Sequence, residues 1–151
     1  MGKILVYVML LLATSVMASG INWAKDYNSG MALAKKTNKP VMFIISRDTC
    51  KYCVKLDKET FKDSRVINGV NKDFIAIRSW INNKDYVPQE LYAPGLPTIW
   101  FLLPNGKPMY QPLMGFVDGD NFLTALAIVK TEFDKQKNKK SKDGFYKYQK
   151  K

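Results

Sequence analysis

The stretch VMFIISRDTCKYCVKLDKETF, residues 41–61, holds both cysteines of the 151-residue chain, Cys50 and Cys53. Its first six residues, 41–46, are apolar and rich in branched side chains, which is typical of a strand buried on both faces. The cysteines follow this strand after only three residues. We therefore expect them to lie where the chain leaves a central strand and enters the next element.

That next element is predicted to be a helix from about residue 51 to residue 61, with Asp48 or Thr49 as its N-cap. Positions i and i+3 of a helix share one face, and the first turn presents unsatisfied backbone N–H groups and the positive end of the dipole. The two cysteines are therefore expected on one face of a helix start.

A thiolate at Cys50 would be stabilised by this helix end, and Lys51 and Arg47 add positive charge beside it. Cys53 is expected to be the more buried partner. In such a pair, the first thiolate forms a mixed disulfide with a substrate, and the second thiol resolves it by expelling the substrate sulfur. This exchange needs no histidine, and the chain has none.

A structural metal site is a weak alternative, because zinc usually takes four cysteine or histidine ligands and this chain has only two. A structural disulfide is also a poor explanation, since closing so short a loop removes little entropy from the unfolded chain. A C-x-x-C pair beside a βαβ pattern instead indicates redox chemistry. We expect no metal, and no cofactor other than the Cys50–Cys53 disulfide itself.

The rest of the chain predicts an α/β fold. A helical stripe from Trp23 ends before Pro40, and a short turn with two prolines precedes the third strand. The last strand is marked as an edge strand by its prolines. The further elements are strands over 74–80, 98–103 and 107–116, an Asn-Gly turn over 104–106, and a helix over about 118–133. This order implies one mixed sheet with helices on both faces.

Both ends of the chain differ in composition from the domain predicted over 19–134. Residues 1–18 combine Lys3, a short apolar run and small residues before a cut at Ser19, which indicates a secretory signal; an uncleaved anchor is the alternative. Export places the protein in an envelope compartment, the bacterial periplasm. Residues 135–151 form a lysine-rich tail, which holds much of the +11 net charge. Such a tail is either solvated and disordered or able to touch anionic surfaces.

With KPVMFIIS, CKYC, GLPT, LLPNGKPM and Gly115 in this order, the chain resembles the thioredoxin superfamily, and most closely its exported members that handle disulfides. The resemblance implies a thioredoxin fold in which the C-x-x-C pair, at a helix N-terminus, faces a cis-proline loop. It makes Cys50 the nucleophile, Cys53 the resolving cysteine and Pro97 the cis-proline. Leu96 and Pro97 would hold an extended substrate segment through backbone groups.

Two departures from thioredoxins proper concern this site. Their buried acid, six positions before the first cysteine, is replaced by Ile44, and their Gly-Pro dipeptide is replaced by Lys51 and Tyr52. Asp57 and Glu59 follow on the same helix, but we expect both to face water, as charged helix residues usually do. Tyr52 is expected to offer a substrate-facing surface.

The resulting expectation is an enzyme, an exported thiol:disulfide oxidoreductase that reduces or rearranges disulfides of cysteine-containing exported proteins. A membrane or periplasmic thiol would supply its electrons. Two alternatives remain: a disulfide-forming oxidase of the same superfamily, and a non-catalytic binding module that uses the basic tail. We expect no nucleic-acid partner, because the chain is predicted to be exported and carries no recognition motif for nucleic acid.

Overall fold

The computed structural model describes residues 19–149, and the predicted signal segment, residues 1–18, lies outside them. Within these residues, four α-helices and four strands follow one another in the order α1, β1, α2, α3, β2, β3, β4, α4. The helices are α1 Tyr27–Thr37, α2 Lys51–Lys58, α3 Ser64–Asp73 and α4 Gly119–Gln149; the strands are β1 Val41–Ser46, β2 Ile75–Trp80, β3 Thr98–Leu102 and β4 Leu113–Met114.

The strands form one sheet in the order β2, β1, β3, β4. Strand β1 is parallel to β2 and antiparallel to β3, so the predicted mixed sheet is confirmed. All six side chains of β1 are buried, as its apolar sequence predicts. The pairing of Ile45 with Thr98 places the carboxyl end of β1 beside the amino end of β3.

The two faces of the sheet are covered by different helices, because successive side chains of a strand point to opposite sides. Met42 and Ile44 of β1 pack into a core with side chains of α2, α3 and α4. Val41, Phe43 and Ile45 face a second core beneath α1 and the segment that follows β2. The predicted arrangement of helices on both faces is therefore confirmed.

Helix α1 starts later than predicted. Asp26 is its N-cap and accepts a hydrogen bond from the backbone N–H of Ser29 at 2.7 Å, and the left-handed residue Asn38 ends it before Pro40. Trp23 lies outside the helix and forms an isolated parallel bridge with Ala76 of β2. The extended backbone of Trp23 is therefore used by the sheet rather than by a helix.

Two other predicted elements differ in length, and one helix was not predicted. The helix predicted over 51–61 ends at Lys58, and α3 follows it as a separate helix whose N-cap, Asp63, accepts a hydrogen bond from the N–H of Arg65. The strand predicted over 107–116 is reduced to β4 and one bridge from Pro108 to Leu102, since proline cannot donate to a ladder.

The last helix continues well beyond its predicted end near residue 133, reaching Gln149. The lysine-rich tail is therefore helical over most of its length. Within residues 19–149, no helix combines the length and apolarity that crossing a membrane requires.

Candidate active site

Cys50 is the N-cap of α2, and its Sγ accepts a hydrogen bond from the backbone N–H of Cys53 at 3.2 Å. The prediction that Asp48 or Thr49 caps this helix is wrong. The carboxylate of Asp48 instead accepts a hydrogen bond from the amide of Asn82, so it faces the segment after β2. A sulfur thus occupies the capping position that serine, threonine and aspartate usually fill.

The two thiols have different environments. Cys50 is partly exposed, whereas only 2% of Cys53 is accessible to solvent. Burial raises the pKa of the Cys53 thiol, and its hydrogen bond with Cys50 acts in the same direction; hydrogen bonds with Ser46 and the backbone of Arg47 oppose this shift only partly. The neutral thiol of Cys53 is therefore favoured, while Cys50 is partly accessible to solvent.

The segment before β3 lies at the same end of the sheet as the cysteines. The peptide bond between Leu96 and Pro97 is cis, and Pro97 is buried while Leu96 is partly exposed. The carbonyl of Pro97 accepts a hydrogen bond from the N–H of Gly115 at 2.8 Å, and the hydroxyl of Thr98 donates to the carbonyl of Gly95. These bonds fix the loop on the strand that neighbours β1.

The remaining predicted site residues are close to Cys50 along the chain and are exposed. Arg47 lies between β1 and α2, Lys51 is the first residue of α2, and both side chains are exposed. Tyr52 is 53% exposed. The structure thus places the predicted charges and the predicted aromatic surface in the loop and first turn that carry Cys50.

Met114 is a site neighbour that the sequence did not reveal. It is 53% exposed on β4, where it pairs with Thr98, and a Cβ built on Gly95 would lie 3.6 Å from its Sδ. Met114 therefore extends the apolar surface of the cis-proline loop. Its position directly before Gly115, a residue of the recognised pattern, is the only sequence signal that pointed to it.

Asp57 is not free in solvent, which differs from the prediction, and 34% of its side chain is exposed. Its carboxylate binds the guanidinium of Arg78 through two hydrogen bonds, Oδ1 to Nη2 at 2.6 Å and Oδ2 to Nη1 at 3.2 Å. Arg78 also stacks on Trp23, with its guanidinium carbon 4.1 Å from the ring centroid, and approaches Trp80 at 4.9 Å. Glu59, by contrast, is exposed as expected.

Arg78 is thus a residue near the site that the sequence reasoning missed. The available signal was a single charge within the apolar strand FIAIRSW. Arg78 pairs in register with Ile44, which is fully buried and supplies no carboxylate. The carboxylate for Arg78 therefore comes from α2, one turn beyond Cys53.

The chemistry that these groups can support is thiol–disulfide exchange. Within the described range, no three histidine, cysteine, aspartate or glutamate side chains are grouped so that they could hold a metal ion. The site consists of an accessible sulfur on a helix N-terminus, a buried second sulfur and a backbone loop at the same sheet end. Such an arrangement can form and resolve a mixed disulfide.

Comparisons with known proteins agree with this geometry. The thioredoxin-like domain family matches residues 27–130. Mouse (Mus musculus) anterior gradient protein 3 is 33% identical over 76 residues, which cover 49% of this chain and 46% of that protein. The thiol:disulfide interchange protein DsbD of Vibrio vulnificus is 34% identical over 104 residues, which cover 66% of this chain and 17% of that protein. The chain thus matches less than half the length of either relative.

A solved structure gives the same result for the fold. A thioredoxin from Thermus thermophilus superposes with a TM-score of 0.61 at 25% identity, covering 73% of this chain and 87% of that one. The family match includes β1, both cysteines, the cis-proline loop and most of the packed part of α4. With its C-x-x-C pair at the start of α2 on a mixed four-stranded sheet, the protein belongs to the thioredoxin-like domain family.

Proposed function

We propose that this protein is an exported thiol:disulfide oxidoreductase that reduces or rearranges disulfides of cysteine-containing exported proteins. The observation that supports it best is the asymmetry of the pair. Cys50 caps α2 with a partly exposed sulfur, whereas Cys53 is buried one turn further along the helix. An attacking sulfur must reach its substrate, and a resolving sulfur must only reach the first one.

The reaction transfers two electrons from the pair to the substrate. The Cys50 thiolate attacks one sulfur of the substrate disulfide, so that a mixed disulfide forms and the other substrate sulfur leaves as a thiolate. Cys53 then loses its proton and attacks the Cys50 sulfur, which releases the second substrate thiolate. The pair is left as an oxidised Cys50–Cys53 disulfide, and a thiol donor in the same compartment must reduce it again.

The surroundings of Cys50 have roles in this reaction. The Cys53 N–H donates a hydrogen bond to the Cys50 sulfur, and the exposed side chains of Lys51 and Arg47 bring positive charge to the loop and first turn that carry Cys50. Leu96 and Pro97 would hold an extended substrate segment by backbone hydrogen bonds. Tyr52 and Met114 add exposed apolar surface that a protein substrate can cover.

Location in the periplasm is part of the proposal. It rests on the secretory pattern of residues 1–18 and on the use of disulfide exchange in oxidising compartments. The similarity to other proteins supports the chemistry, because one relative is a thiol:disulfide interchange protein.

Two substitutions test the assignment with an insulin-disulfide reduction assay. Cys50→Ser is expected to abolish turnover, since no attacking thiolate remains at the helix start. Cys53→Ser is expected to accumulate a mixed disulfide between Cys50 and the substrate, visible by mass spectrometry, because resolution is lost. Unchanged turnover in Cys50→Ser would refute the proposal.

The direction of electron flow follows from the reduction potential of the pair, measured against glutathione. A value near that of thioredoxin, about −270 mV, supports the reductase, and a value near about −120 mV supports the oxidase alternative.

A further inference from the structure

The distal segment, residues 135–151 with the sequence KQKNKKSKDGFYKYQKK, differs sharply in charge from the domain that precedes it. It holds eight lysines and one acid, whereas residues 19–134 are close to balanced. Lys135, Lys137 and Lys139 are all exposed, and Phe133 is the last buried side chain among the residues whose burial is described. At these three lysines the helix has therefore extended past the core, and their side chains face solvent.

The distal segment leaves the domain at the end opposite the cysteines. Phe133, Gln136 and Lys137 border a cavity together with Leu103 and Pro104, which directly follow β3. That end of β3 pairs with Val41, the first residue of β1, whereas the cysteines follow its last residue. The two ends of β1 are roughly 17 Å apart at the usual rise of a strand. The lysines of the distal segment and the two cysteines therefore lie at opposite ends of the domain. We call the end that carries Cys50 and Cys53 the cysteine pole.

A helix of this composition is marginal in water unless something binds it, because lysines repel one another and isolated helices gain little from propensity alone. A second copy of the chain is a poor partner, since it would bring eight more lysines to the contact. An anionic surface complements the charge. Phe145, Tyr146 and Tyr148 stand among the lysines in the sequence, a combination that suits the boundary between lipid headgroups and acyl chains.

We propose that the distal segment binds an anionic phospholipid surface and holds the domain there with its cysteine pole directed away from the lipid. Nucleic acid is not a partner that we expect for an exported protein, and an acidic protein would neutralise the lysines without taking up the aromatic rings as a lipid boundary does. This proposal does not depend on the redox activity of the pair.

The test uses the exported protein, with its N-terminus established by mass spectrometry, and sedimentation with vesicles. Phosphatidylglycerol mixed with phosphatidylcholine is the anionic probe, and phosphatidylcholine alone is the neutral probe. We expect binding only to the anionic vesicles, and loss of that binding at about 0.5 M salt. Because each lysine near such a surface contributes roughly fivefold in affinity, substituting four of them is expected to weaken binding by roughly a hundredfold or more.

The four substitutions are Lys135→Gln, Lys137→Gln, Lys139→Gln and Lys140→Gln. The matched control removes the same charge from exposed lysines of the domain, as Lys25→Gln, Lys58→Gln, Lys62→Gln and Lys84→Gln. The control is expected to lose less than about tenfold, since its lysines lie outside the distal segment. Equal losses in both variants would overturn the proposal, as would binding to polyglutamate or DNA without binding to vesicles.

Insulin reduction in the absence of vesicles separates this proposal from the proposed function. It should be unchanged in the variant of the distal segment, because that segment leaves the domain at the end opposite the cysteines. The orientation has its own readout: alkylation of Cys50 by a membrane-impermeant maleimide should proceed at the same rate with and without anionic vesicles. Protection of Cys50 by the vesicles would contradict the proposed orientation.

Discussion

Arg78 of β2 and Asp57 of α2 are joined by two hydrogen bonds, 2.6 and 3.2 Å long, that connect the sheet to the helix carrying both cysteines. The side chain of Arg78 is only 13% exposed and lies against Trp23 and Trp80. Because Ile44 supplies no acid on the neighbouring strand, Asp57 is the carboxylate that this buried cation binds. The ion pair therefore fixes α2 relative to the sheet.

Breaking this pair is expected to destabilise the domain. Asp57→Asn and Arg78→Lys should each lower the free energy of unfolding by about 1–3 kcal/mol, since the first leaves a mostly buried cation without its counterion and the second loses the planar two-bond contact. Urea unfolding measures both. Arg47→Lys is the matched control on an exposed arginine, and should change stability by less than about 0.5 kcal/mol. An Arg78→Lys protein as stable as the wild type would show that the two-bond geometry is unimportant.

The thiol of Cys53 predicts a pH dependence of stability in the reduced protein. Its pKa is raised in the folded state by burial, whereas an unfolded thiol ionises at about pH 8.5. Above that pH the unfolded chain releases a proton that the folded chain retains, so the reduced protein loses stability as the pH rises. Below it, both states are protonated and the stability is fully present.

Cys53→Ala removes this titration but retains the other groups. Chemical unfolding under reducing conditions, at about pH 7.5 and about pH 9.5, should therefore show a smaller loss for the variant than for the wild type. Equal losses in the two proteins would mean that burial does not hold the Cys53 proton.

Two helical glycines form a matched pair for core packing. A Cβ on Gly30 of α1 would lie 2.4 Å from Cγ1 of the fully buried Ile77, so Gly30→Ala is expected to cost about 1–2 kcal/mol despite the better helix propensity of alanine. A Cβ on Gly69 of α3 would lie 3.5 Å from Leu126, an ordinary contact. Gly69→Ala is therefore expected to add up to about 1 kcal/mol. Thermal unfolding compares them, and two changes of the same sign would contradict the packing described.

The exposed ring of Tyr52 predicts a difference between large and small substrates. Tyr52→Ser should raise KM for insulin about tenfold, because an aromatic side chain covered on binding contributes on the order of 1–2 kcal/mol. The rate with a small aromatic disulfide should stay unchanged. Tyr110, 41% exposed and remote from α2 along the chain, gives the control Tyr110→Ser, which should leave both rates unaffected. Equal KM values for all three proteins would remove Tyr52 from the substrate surface.

The central strands and the cysteine helix were predictable because their signals are local. Strand β1 is a continuous apolar run, and the cysteines follow it directly. Helix α3 was missed because SRVINGVNKD contains glycine, asparagines and branched residues of modest helix propensity; its stability comes from burying Val66, Ile67 and Val70. That contribution depends on tertiary contacts that no local pattern reports.

The parts of the site that were not predicted likewise depend on distant contacts. A cap by Asp48 is the usual expectation, but this carboxylate is engaged by Asn82, and the Cys50 sulfur takes its place. The partner of Asp57 lies 21 residues further along the chain, on a strand whose alignment with α2 only the folded sheet defines. Pairings of this kind depend on the folded arrangement of α2 and the sheet, which no local sequence pattern reports.

The Cys50 sulfur, which caps the first turn of α2, is also the sulfur that changes its covalent partner in the proposed reaction. Each cycle would therefore alter the acceptor seen by one amide proton, that of Cys53. The nitrogen chemical shift of this amide and its exchange with deuterium should report what fraction of the molecules is in the reduced, dithiol form. No label on the thiols is needed.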